Sequence, residues 1–433
     1  MRSDGKIQQW LKTQPDWVFI SFTSLVAFAT YSCMYAFRKP FTVATFDGEY
    51  LWGLQLKIWF IAAQVAGYTV SKFIGIKVVS EMPKGKRSLS ILALVGIAEL
   101  SLFFFGWTPN PFRIIFLFTN GLPLGMIWGL VFAYLEGRKY TELLGAGLSV
   151  SFILASGFVK TVGKWLMLTF QLSEYWMPFA TGLLFAVPLI LFVYLLDQVP
   201  EPNSEDKQLR TERKPMDIRE RLNFFRKFST AISLLVTAYA LLTIFREMRD
   251  NFAAEIWNAL DYKDNPAIFT LSEIPVGIVT LLILGMVTYI RNNINALFTI
   301  VYLIIIGFVI IASSSFLFQN NYINGLSWMI LSGMGLYLAY VPFNALLFER
   351  MIASFRYVSN IGFVMYLADS FGYLSSIVSF SLKNFFKPSL SWLDFFVWSS
   401  YSISGAGIIL MLASVIWFHK KYQQFGFSLN HKS

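Results

Sequence analysis

The stretch "DQVPEPNSEDKQLRTERKPMDIRERLNFFRK", residues 197–227, is the longest polar interval in a chain otherwise dominated by apolar runs. Six apolar segments precede it and six follow it. An interval of this length is too short to bury a hydrophobic core of its own. We therefore interpret residues 198–227 as a linker between an N-terminal bundle, 1–197, and a C-terminal bundle with a short tail, 228–433.

The apolar segments have the length that membrane spans require. A helix needs about 20 residues to cross about 30 Å of hydrocarbon. The sequence therefore predicts an all-α polytopic membrane protein with twelve transmembrane helices in two six-helix bundles. The segments lie near residues 17–45, 54–80, 88–107, 112–136, 143–169, 175–197, 228–256, 266–290, 295–317, 325–349, 356–382 and 393–419.

The composition agrees with a membrane protein. Of 433 residues, 56% are hydrophobic and 14% are charged, with a mean hydropathy of +0.57. A soluble protein would carry about 25% charged residues. The net charge of +10 does not indicate nucleic-acid binding, because no basic domain stands apart from the apolar segments. We expect the lipid bilayer to be a partner of the chain and nucleic acid not to be one.

Lysine and arginine residues lie mainly in every second loop between the apolar segments. Such residues concentrate on the cytoplasmic side of membrane proteins. We therefore predict that both termini and the linker are cytoplasmic, and we expect the membrane to be a bacterial cytoplasmic (inner) membrane. The residues behind this prediction are Lys84, Lys86, Arg87, Arg138, Lys139, Arg291, Lys420 and Lys421.

Residue usage disfavours metal and enzyme chemistry. Cys33 is the only cysteine, so an intrachain disulfide is impossible. The two histidines, His419 and His431, lie at the C-terminal end, which disfavours a histidine metal site. Neither an H-E-x-x-H nor a G-x-S-x-G pattern occurs. We predict no catalytic residue, no metal and no cofactor.

Three stretches carry a family resemblance when taken together in order and spacing. They are "YAFRKPF" at 35–41, "GYTVSKFIGIKVVSE" at 67–81 and "IFREMRDNFAAEIW" at 244–257. They resemble motifs of the first, second and seventh helices of the organophosphate:phosphate antiporters, a family of the major facilitator superfamily. The resemblance is that of a divergent relative, since "SVSFILASGFVK" at 149–160 lacks that family's histidine. It implies the major facilitator fold and a phosphate-ester substrate.

Arg38 and Arg246 are the first candidates for substrate binding. Charged groups inside spans are costly and usually face a cavity or a partner. Both arginines are expected on the first helix of a bundle, and transporters of this class bind substrate near the midplane. A guanidinium binds oxyanions through two parallel hydrogen bonds, so we predict that both arginines bind an anion. The alternative for Arg38 and Lys39 is that they snorkel to the interface.

Three further residues are predicted to contact the substrate. Lys39 directly precedes Pro40, which can mark a helix end and turn the lysine outward. The resemblance makes Lys72 a substrate contact, although it can also snorkel from the cytoplasmic third of its helix. Tyr35 offers a hydroxyl to a ligand, but aromatics make up 18% of the chain and a single tyrosine can serve packing alone.

Two carboxylates are candidates for coupling or ion pairing. Asp250 lies four residues after Arg246, a spacing that suits an ion pair on one helix face. Asp369 is a lone carboxylate that can carry a proton, or form structural hydrogen bonds to serines and backbone. The sequence leaves open whether Lys160, Lys164 and Glu349 line a cavity.

These observations favour a monomeric secondary active transporter that moves a small organic anion, with a phosphate ester as one candidate, by alternating access. Exchange, proton symport and uniport stay open, as does the direction of transport. The alternatives are a transporter-fold sensor, a membrane-embedded transferase, or a proton-coupled symporter of a non-phosphate solute.

Overall fold

The structure is a computed structural model that describes residues 5–80, 82–202, 206, 218–355, 361–386 and 389–430. Most of the predicted linker, including residues 203–205 and 207–217, lies outside the described residues. The placement of the linker and of both termini in the cytoplasm therefore stays a prediction.

The elements before the linker are eight helices, a short ribbon of two strands and one 3-10 turn among the described residues. They are α1 (Lys6–Thr13), α2 (Asp16–Tyr35), the 3-10 turn (Pro40–Val43), β1 (Tyr50–Leu51), β2 (Leu54–Gln55), α3 (Leu56–Ser80), α4 (Lys84–Trp107), α5 (Arg113–Leu124), α6 (Ile127–Phe132), α7 (Thr141–Phe170) and α8 (Met177–Asp197). The strands are antiparallel and pair Tyr50 with Gln55. Trp52 and Gly53 both adopt positive φ, which fits a two-residue hairpin turn.

The elements after the linker are helices only in the part of the chain that the structure describes. They are α9 (Ile218–Asn251), α10 (Ala253–Ala259), α11 (Ile268–Leu271), α12 (Glu273–Thr288), α13 (Asn293–Gln319), α14 (Gly325–Ala345), α15 (Leu347–Ser354), α16 (Ile361–Phe386) and α17 (Trp392–Asn430). Helix α9 is interrupted at Phe228, whose φ of −118° and ψ of 15° are not helical.

Within the described residues, ten helical stretches are long and apolar enough to cross a membrane. Two of them, Arg113–Phe132 and Ile268–Thr288, each join two consecutive helices, α5 with α6 and α11 with α12. Helices α3 and α16, with 25 and 26 residues, overlap the two remaining predicted segments, 54–80 and 356–382, of which residues 356–360 lie outside the described residues. The prediction of an all-α polytopic membrane protein is confirmed.

The first spanning helix ends earlier than the sequence suggested. The predicted segment 17–45 is a regular helix only to Tyr35, so the prediction that Arg38 lies on that helix is wrong. Arg38 and Lys39 lie in a turn, and Pro40 opens the 3-10 turn that follows. Proline has no N–H to continue the helical hydrogen bonds, which explains the break.

The chain forms two compact units. The first comprises Met1–Arg210, Asp250–Ile274 and Phe380–Pro388, and the second comprises Thr211–Arg249, Pro275–Ser379 and Ser389–Ser433. Two stretches that follow the linker in sequence thus pack with the N-terminal residues. The predicted domain bounds of 1–197, 198–227 and 228–433 stay a prediction.

Glycines allow close helix contacts within each unit. In the first unit, a Cβ on Gly67 of α3 would lie 3.1 Å from the backbone nitrogen of Leu122 in α5. In the second unit, a Cβ on Gly335 of α14 would lie 2.6 Å from the carbonyl oxygen of Gly307 in α13. Small residues bring helix backbones together in membranes in this way.

Candidate functional site

In the first unit, buried amides hold the backbone of the turn that carries Arg38. The Gln64 side chain donates hydrogen bonds to the carbonyl of Arg38 (2.9 Å) and to Asn120 Oδ1 (2.8 Å). The Asn120 amide donates to the carbonyls of Phe37 (2.9 Å) and Ala98 (3.0 Å). Carbonyls at a helix end need such partners when water is absent. The position of Arg38 is therefore fixed by α3 and α5.

Arg38 and Lys72 both contact the ring of Tyr68. The Arg38 guanidinium carbon lies 3.9 Å from the ring centroid, and the Lys72 ammonium lies 5.3 Å from it. The Arg38 side chain is only 4% exposed. Cations at these distances are attracted to the face of an aromatic ring. The structure thus brings two predicted site residues together at one tyrosine, which the sequence analysis had missed.

Tyr35 ends α2 three residues before Arg38 and is buried. Its ring meets that of Tyr31 edge to face, with 5.5 Å between the centroids. Such a contact is typical of packing aromatics. A role of the Tyr35 hydroxyl in ligand binding stays a prediction.

A second cluster in the first unit surrounds Asp250. The Lys39 ammonium lies 2.5 Å from Oδ2 of Asp250 and donates to Asn251 Oδ1 at 3.0 Å. The Lys160 ammonium donates to Oδ1 of Asp250 and, at 2.5 Å, to the main-chain carbonyl of the same residue. The Ser156 hydroxyl donates to Oδ1 at 2.5 Å. Both lysines are buried, each with 3% exposure, so two ammonium groups share one carboxylate.

The predicted ion pair between Arg246 and Asp250 is wrong. Both carboxylate oxygens of Asp250 are taken by ammonium groups from distant parts of the sequence. The Arg246 guanidinium donates to the carboxylate of the adjacent residue, Glu247, which is buried. Spacing of four on a helix permits a pair, but the tertiary partners decide which pair forms. Lys160 belongs to the cluster, whereas Lys164 is half-buried.

Lys57 and Glu255 form a buried ion pair in the first unit that the sequence analysis missed. The Lys57 ammonium lies 2.6 Å from Glu255 Oε1 and donates to the Thr42 carbonyl at 2.9 Å. It also lies 5.4 Å from the centroid of the Phe252 ring. Each partner is a charge inside an apolar run, "LQLKIWF" and "FAAEIW". A charge inside an apolar run could have marked each residue as a candidate, but the sequence does not show that the two residues pair, because they are far apart along the chain.

In the second unit, a chain of hydrogen bonds joins Arg246 to Asp369. Arg246 Nη1 donates to the Tyr340 hydroxyl at 2.7 Å. The hydroxyls of Tyr340 and Tyr239 lie 2.7 Å apart, and Tyr239 donates to Asp369 Oδ1 at 2.5 Å. The rings of Tyr239 and Tyr340 stack with centroids 5.0 Å apart. Two candidate residues from separate helices are thus linked through two tyrosines that the sequence analysis did not connect.

Aromatic rings also surround the Arg246 guanidinium. Its carbon lies 4.6 Å from the Tyr340 centroid and 5.6 Å from the Tyr373 centroid. Arg246 Nη2 donates to the Tyr373 hydroxyl at 3.2 Å.

No group of three or more histidine, cysteine or carboxylate side chains that could hold a metal occurs among the described residues.

A family model matches residues 40–421, nearly the whole chain, and carries the description "family of unknown function", DUF5690. The chain belongs to the DUF5690 family. The match begins immediately after Lys39, so Arg38 and Lys39 lie just before it, while Lys72, Arg246, Asp250 and Asp369 lie within it. A search of curated proteins found no relative with significant sequence similarity.

Solved structures similar to this DUF5690 chain are transporters. The D-xylose–proton symporter matches with a TM-score of 0.60 at 14% identity, covering 92% of this chain and 97% of that chain. The nucleoside transporter NupG matches with a TM-score of 0.59 at 13% identity, covering 92% and 98%. A variant of NupG matches with a TM-score of 0.58 at 13% identity, covering 92% and 99%.

At these identities the likeness shows the fold alone, and that fold is the major facilitator fold, as the sequence predicted. These neighbours are named as transporters, and the prediction that this chain is not an enzyme stays a prediction. The finer resemblance to organophosphate:phosphate antiporters stays a prediction.

Proposed function

We propose that this DUF5690 protein is a secondary active transporter that moves a small organic anion across the membrane by alternating access. The observation that carries the proposal is the buried Arg38 guanidinium, stacked on Tyr68 with Lys72 at the same ring. Buried ionisable groups in membrane proteins are costly and generally mark a substrate or ion pathway. Two cations at one aromatic ring suit a ligand that is negatively charged.

The identity of the side chains supports an oxyanion in particular. The planar fork of arginine matches a carboxylate or phosphate through two parallel hydrogen bonds. Lys72 adds a compact charge, and Tyr35, three residues before Arg38, offers a hydroxyl. Lys39, held by Asp250, is a further anion-binding candidate. Phosphate esters are the first class to test, because the motif resemblance includes these residues.

Arg246 is the proposed anion-binding residue of the second unit. Its guanidinium is held by Tyr340, Tyr373 and Glu247, so it is already oriented before a ligand binds. Orientation in advance lowers the entropic cost of binding. The Glu247 carboxylate is the group that an incoming anion must compete with at Arg246.

We further propose that the protein works as a monomer in a bacterial cytoplasmic membrane, with both termini in the cytoplasm. The distribution of lysine and arginine between alternate loops supports the orientation. Similarity in fold to a proton symporter and to a nucleoside transporter is compatible with proton coupling and with exchange alike.

A thermal-shift screen of the purified protein tests the substrate class. The ligands are sugar phosphates, carboxylates and inorganic phosphate, with neutral sugars and nucleosides as the comparison set. A ligand at 100 times its Kd stabilises the folded state by about 2.7 kcal/mol. Each hit is then measured by uptake into proteoliposomes. Stabilisation by neutral solutes alone would contradict the anionic class and leave a transporter of another solute.

A further inference from the structure

The donors around Asp250 converge on its carboxylate from several parts of the first unit. Lys39 contacts one oxygen, while Lys160 and Ser156 contact the other. The two ammonium groups repel each other, and Glu273 adds only a weaker electrostatic attraction at Lys160. A negatively charged group between the lysines is therefore needed to keep both charges buried.

Each lysine has a second anchor that does not depend on the carboxylate. Lys39 donates to the Asn251 side-chain oxygen at 3.0 Å, and Lys160 donates to the main-chain carbonyl of Asp250 at 2.5 Å. The donor geometry would therefore persist if the Asp250 carboxylate moved away. Two ammonium groups and one hydroxyl, held in place in this way, form a set of donors suited to any small oxyanion.

The carboxylate lies close to an interruption between two helices. Asp250 is one residue from the end of α9, and Phe252 between α9 and α10 has φ −111° and ψ 22°, outside the helical region. Rotation of the Asp250 side chain about its own bonds would move the carboxylate and leave the Asp250 carbonyl and Asn251 in place as anchors for the lysines. The buried pair of Lys57 and Glu255 differs, because a single ammonium group contacts that carboxylate.

We propose that Lys39, Lys160 and Ser156 form an oxyanion-binding site in which Asp250 is the resident anion, replaceable by a small carboxylate or phosphate. The inference rests on the proposed function in that the displacing anion is the transported substrate. It assigns the substrate class: a compact carboxylate or phosphate that fits where a single side-chain carboxylate now lies.

Chemical rescue tests this site. Asp250→Gly removes the resident carboxylate and leaves a space beside the two lysines. In sodium chloride, we expect the melting temperature of this variant to fall by several degrees, because two buried ammonium groups lose their counter-ion. Sodium formate or acetate at equal ionic strength should restore at least half of the loss with a saturable dependence. The gain of the unmodified protein at the same concentrations should be smaller, because its own carboxylate must first be displaced.

Two matched variants make the rescue specific. Adding Lys160→Met to Asp250→Gly should abolish the rescue by formate, because one of the two ammonium donors is gone. Glu255→Gly deletes a carboxylate that contacts a single ammonium group. Formate should raise the melting temperature of this variant clearly less than that of Asp250→Gly. Equal stability of Asp250→Gly in formate and in chloride would overturn the proposal. Equal rescue of Glu255→Gly, or undiminished rescue of the double variant, would overturn it as well.

Asp250→Asn provides the answer if the glycine variant does not fold. The amide keeps the side-chain volume but carries no charge, so formate and phosphate should stabilise this variant more than the unmodified protein. No anion dependence of Asp250→Asn would overturn the site.

If the unmodified protein is stabilised by an organic anion while no Asp250 variant responds to formate, the site fails and the transporter proposal stands. If no anion stabilises the unmodified protein but formate rescues Asp250→Gly, the transporter proposal fails and the site stands.

Discussion

The Tyr239 hydroxyl donates a 2.5 Å hydrogen bond to Oδ1 of Asp369, and the Tyr340 hydroxyl lies 2.7 Å from that of Tyr239. Arg246 donates to Tyr340, so all three hydrogen bonds can run in one direction, from the cation to the carboxylate. A protonated Asp369 would instead be a donor toward Tyr239, and Tyr239 would turn toward Asn344 Oδ1, 3.3 Å away. Protonation of Asp369 would therefore change the hydrogen bonds of Tyr239 and, through Tyr340, the environment of Arg246.

Asp369→Asn is expected to abolish accumulation driven by a pH gradient while leaving substrate exchange measurable. The amide cannot release a proton, but the helix and its tyrosine contacts remain. Tyr239 and Tyr340 link Asp369 to Arg246, and Arg246 also contacts the Tyr373 hydroxyl and the Glu247 carboxylate, so the network contains one cation and two carboxylates among the described residues. The measurement is uptake into proteoliposomes with and without an imposed pH gradient.

Tyr340→Phe serves as the companion variant, since it removes the hydroxyl between Arg246 and Tyr239 but keeps the stacked ring. It should weaken the pH dependence without removing the carboxylate. An Asp369→Asn protein with unchanged pH dependence would show that Asp369 is structural and would favour exchange or uniport.

Gly335→Ala is expected to destabilise the second unit. The added Cβ would lie 2.6 Å from the Gly307 carbonyl oxygen, so the two helices must move apart. Overpacking of this kind costs about 1–3 kcal/mol. Gly405→Ala is the matched control, because a Cβ there meets nothing within 4 Å. Thermal unfolding of the two purified variants checks the difference, and equal melting temperatures would contradict the close helix contact.

Tyr175→Phe is expected to destabilise the loop region before α8, and the effect should depend on pH. Burial raises the pKa of Tyr175 to about 12, and its hydrogen bond to Glu49 adds to the increase. A hydroxyl whose folded pKa lies above the ordinary value of about 10 contributes stability below pH 10 and loses it as the pH rises toward 12. The difference in melting temperature between the unmodified and variant proteins should therefore be larger at pH 8 than at pH 11. A constant difference would show that packing of the ring, including the Arg113 contact 3.3 Å from its centroid, carries the effect.

The fold was predictable from the sequence because span length is a local property. A run of about twenty apolar residues indicates a membrane helix whatever its neighbours are. The end of the first helix was not predicted, because α2 ends at Tyr35 whereas the predicted segment ran to residue 45. The partners of the charged residues were not predictable in this way. Lys39 and Asp250 are 211 positions apart, so no spacing rule connects them, and the local rule instead suggested Arg246.

The tyrosines that contact the arginines were also not predictable from the sequence. Tyr68 and Tyr340 are two of 20 tyrosines, and nothing in their immediate sequence separates them from tyrosines that only pack. Their contacts with Arg38 and Arg246 follow from which helix faces meet, which is tertiary information. The sequence therefore identified the cations of the candidate site but not the rings and hydroxyls that orient them.

Arg38→Lys and Arg246→Lys test the anion-binding arginines. Lysine keeps the charge but lacks the planar fork, so one of the two parallel hydrogen bonds to an oxyanion is lost. Loss of a charge-assisted contact should weaken binding by roughly 1.5–3 kcal/mol, or about ten- to a hundred-fold. Both variants also weaken cation–ring contacts, and the Arg38 contact with Tyr68 at 3.9 Å is closer than the Arg246 contact with Tyr340 at 4.6 Å, so the effect of Arg38→Lys should be the larger of the two. The measurement is the affinity for the best anion of the thermal-shift screen, determined by titration.

The Arg→Lys variants need a control variant in which a charge outside the proposed site is removed. Lys420→Gln changes an exposed residue near the C-terminal end of α17 and should leave the affinity unchanged, because a solvated charge contributes little to a buried site. Lys39→Gln should have an intermediate effect, since its ammonium is already held by Asp250. Each variant must first show the monodisperse elution of the unmodified protein. If both arginine variants then bind the anion as tightly as the unmodified protein, the guanidiniums do not bind it. Arg38 would in that case stabilise the turn after α2 through its contact with Tyr68, and the resemblance to the antiporters would extend to the fold but not to the substrate.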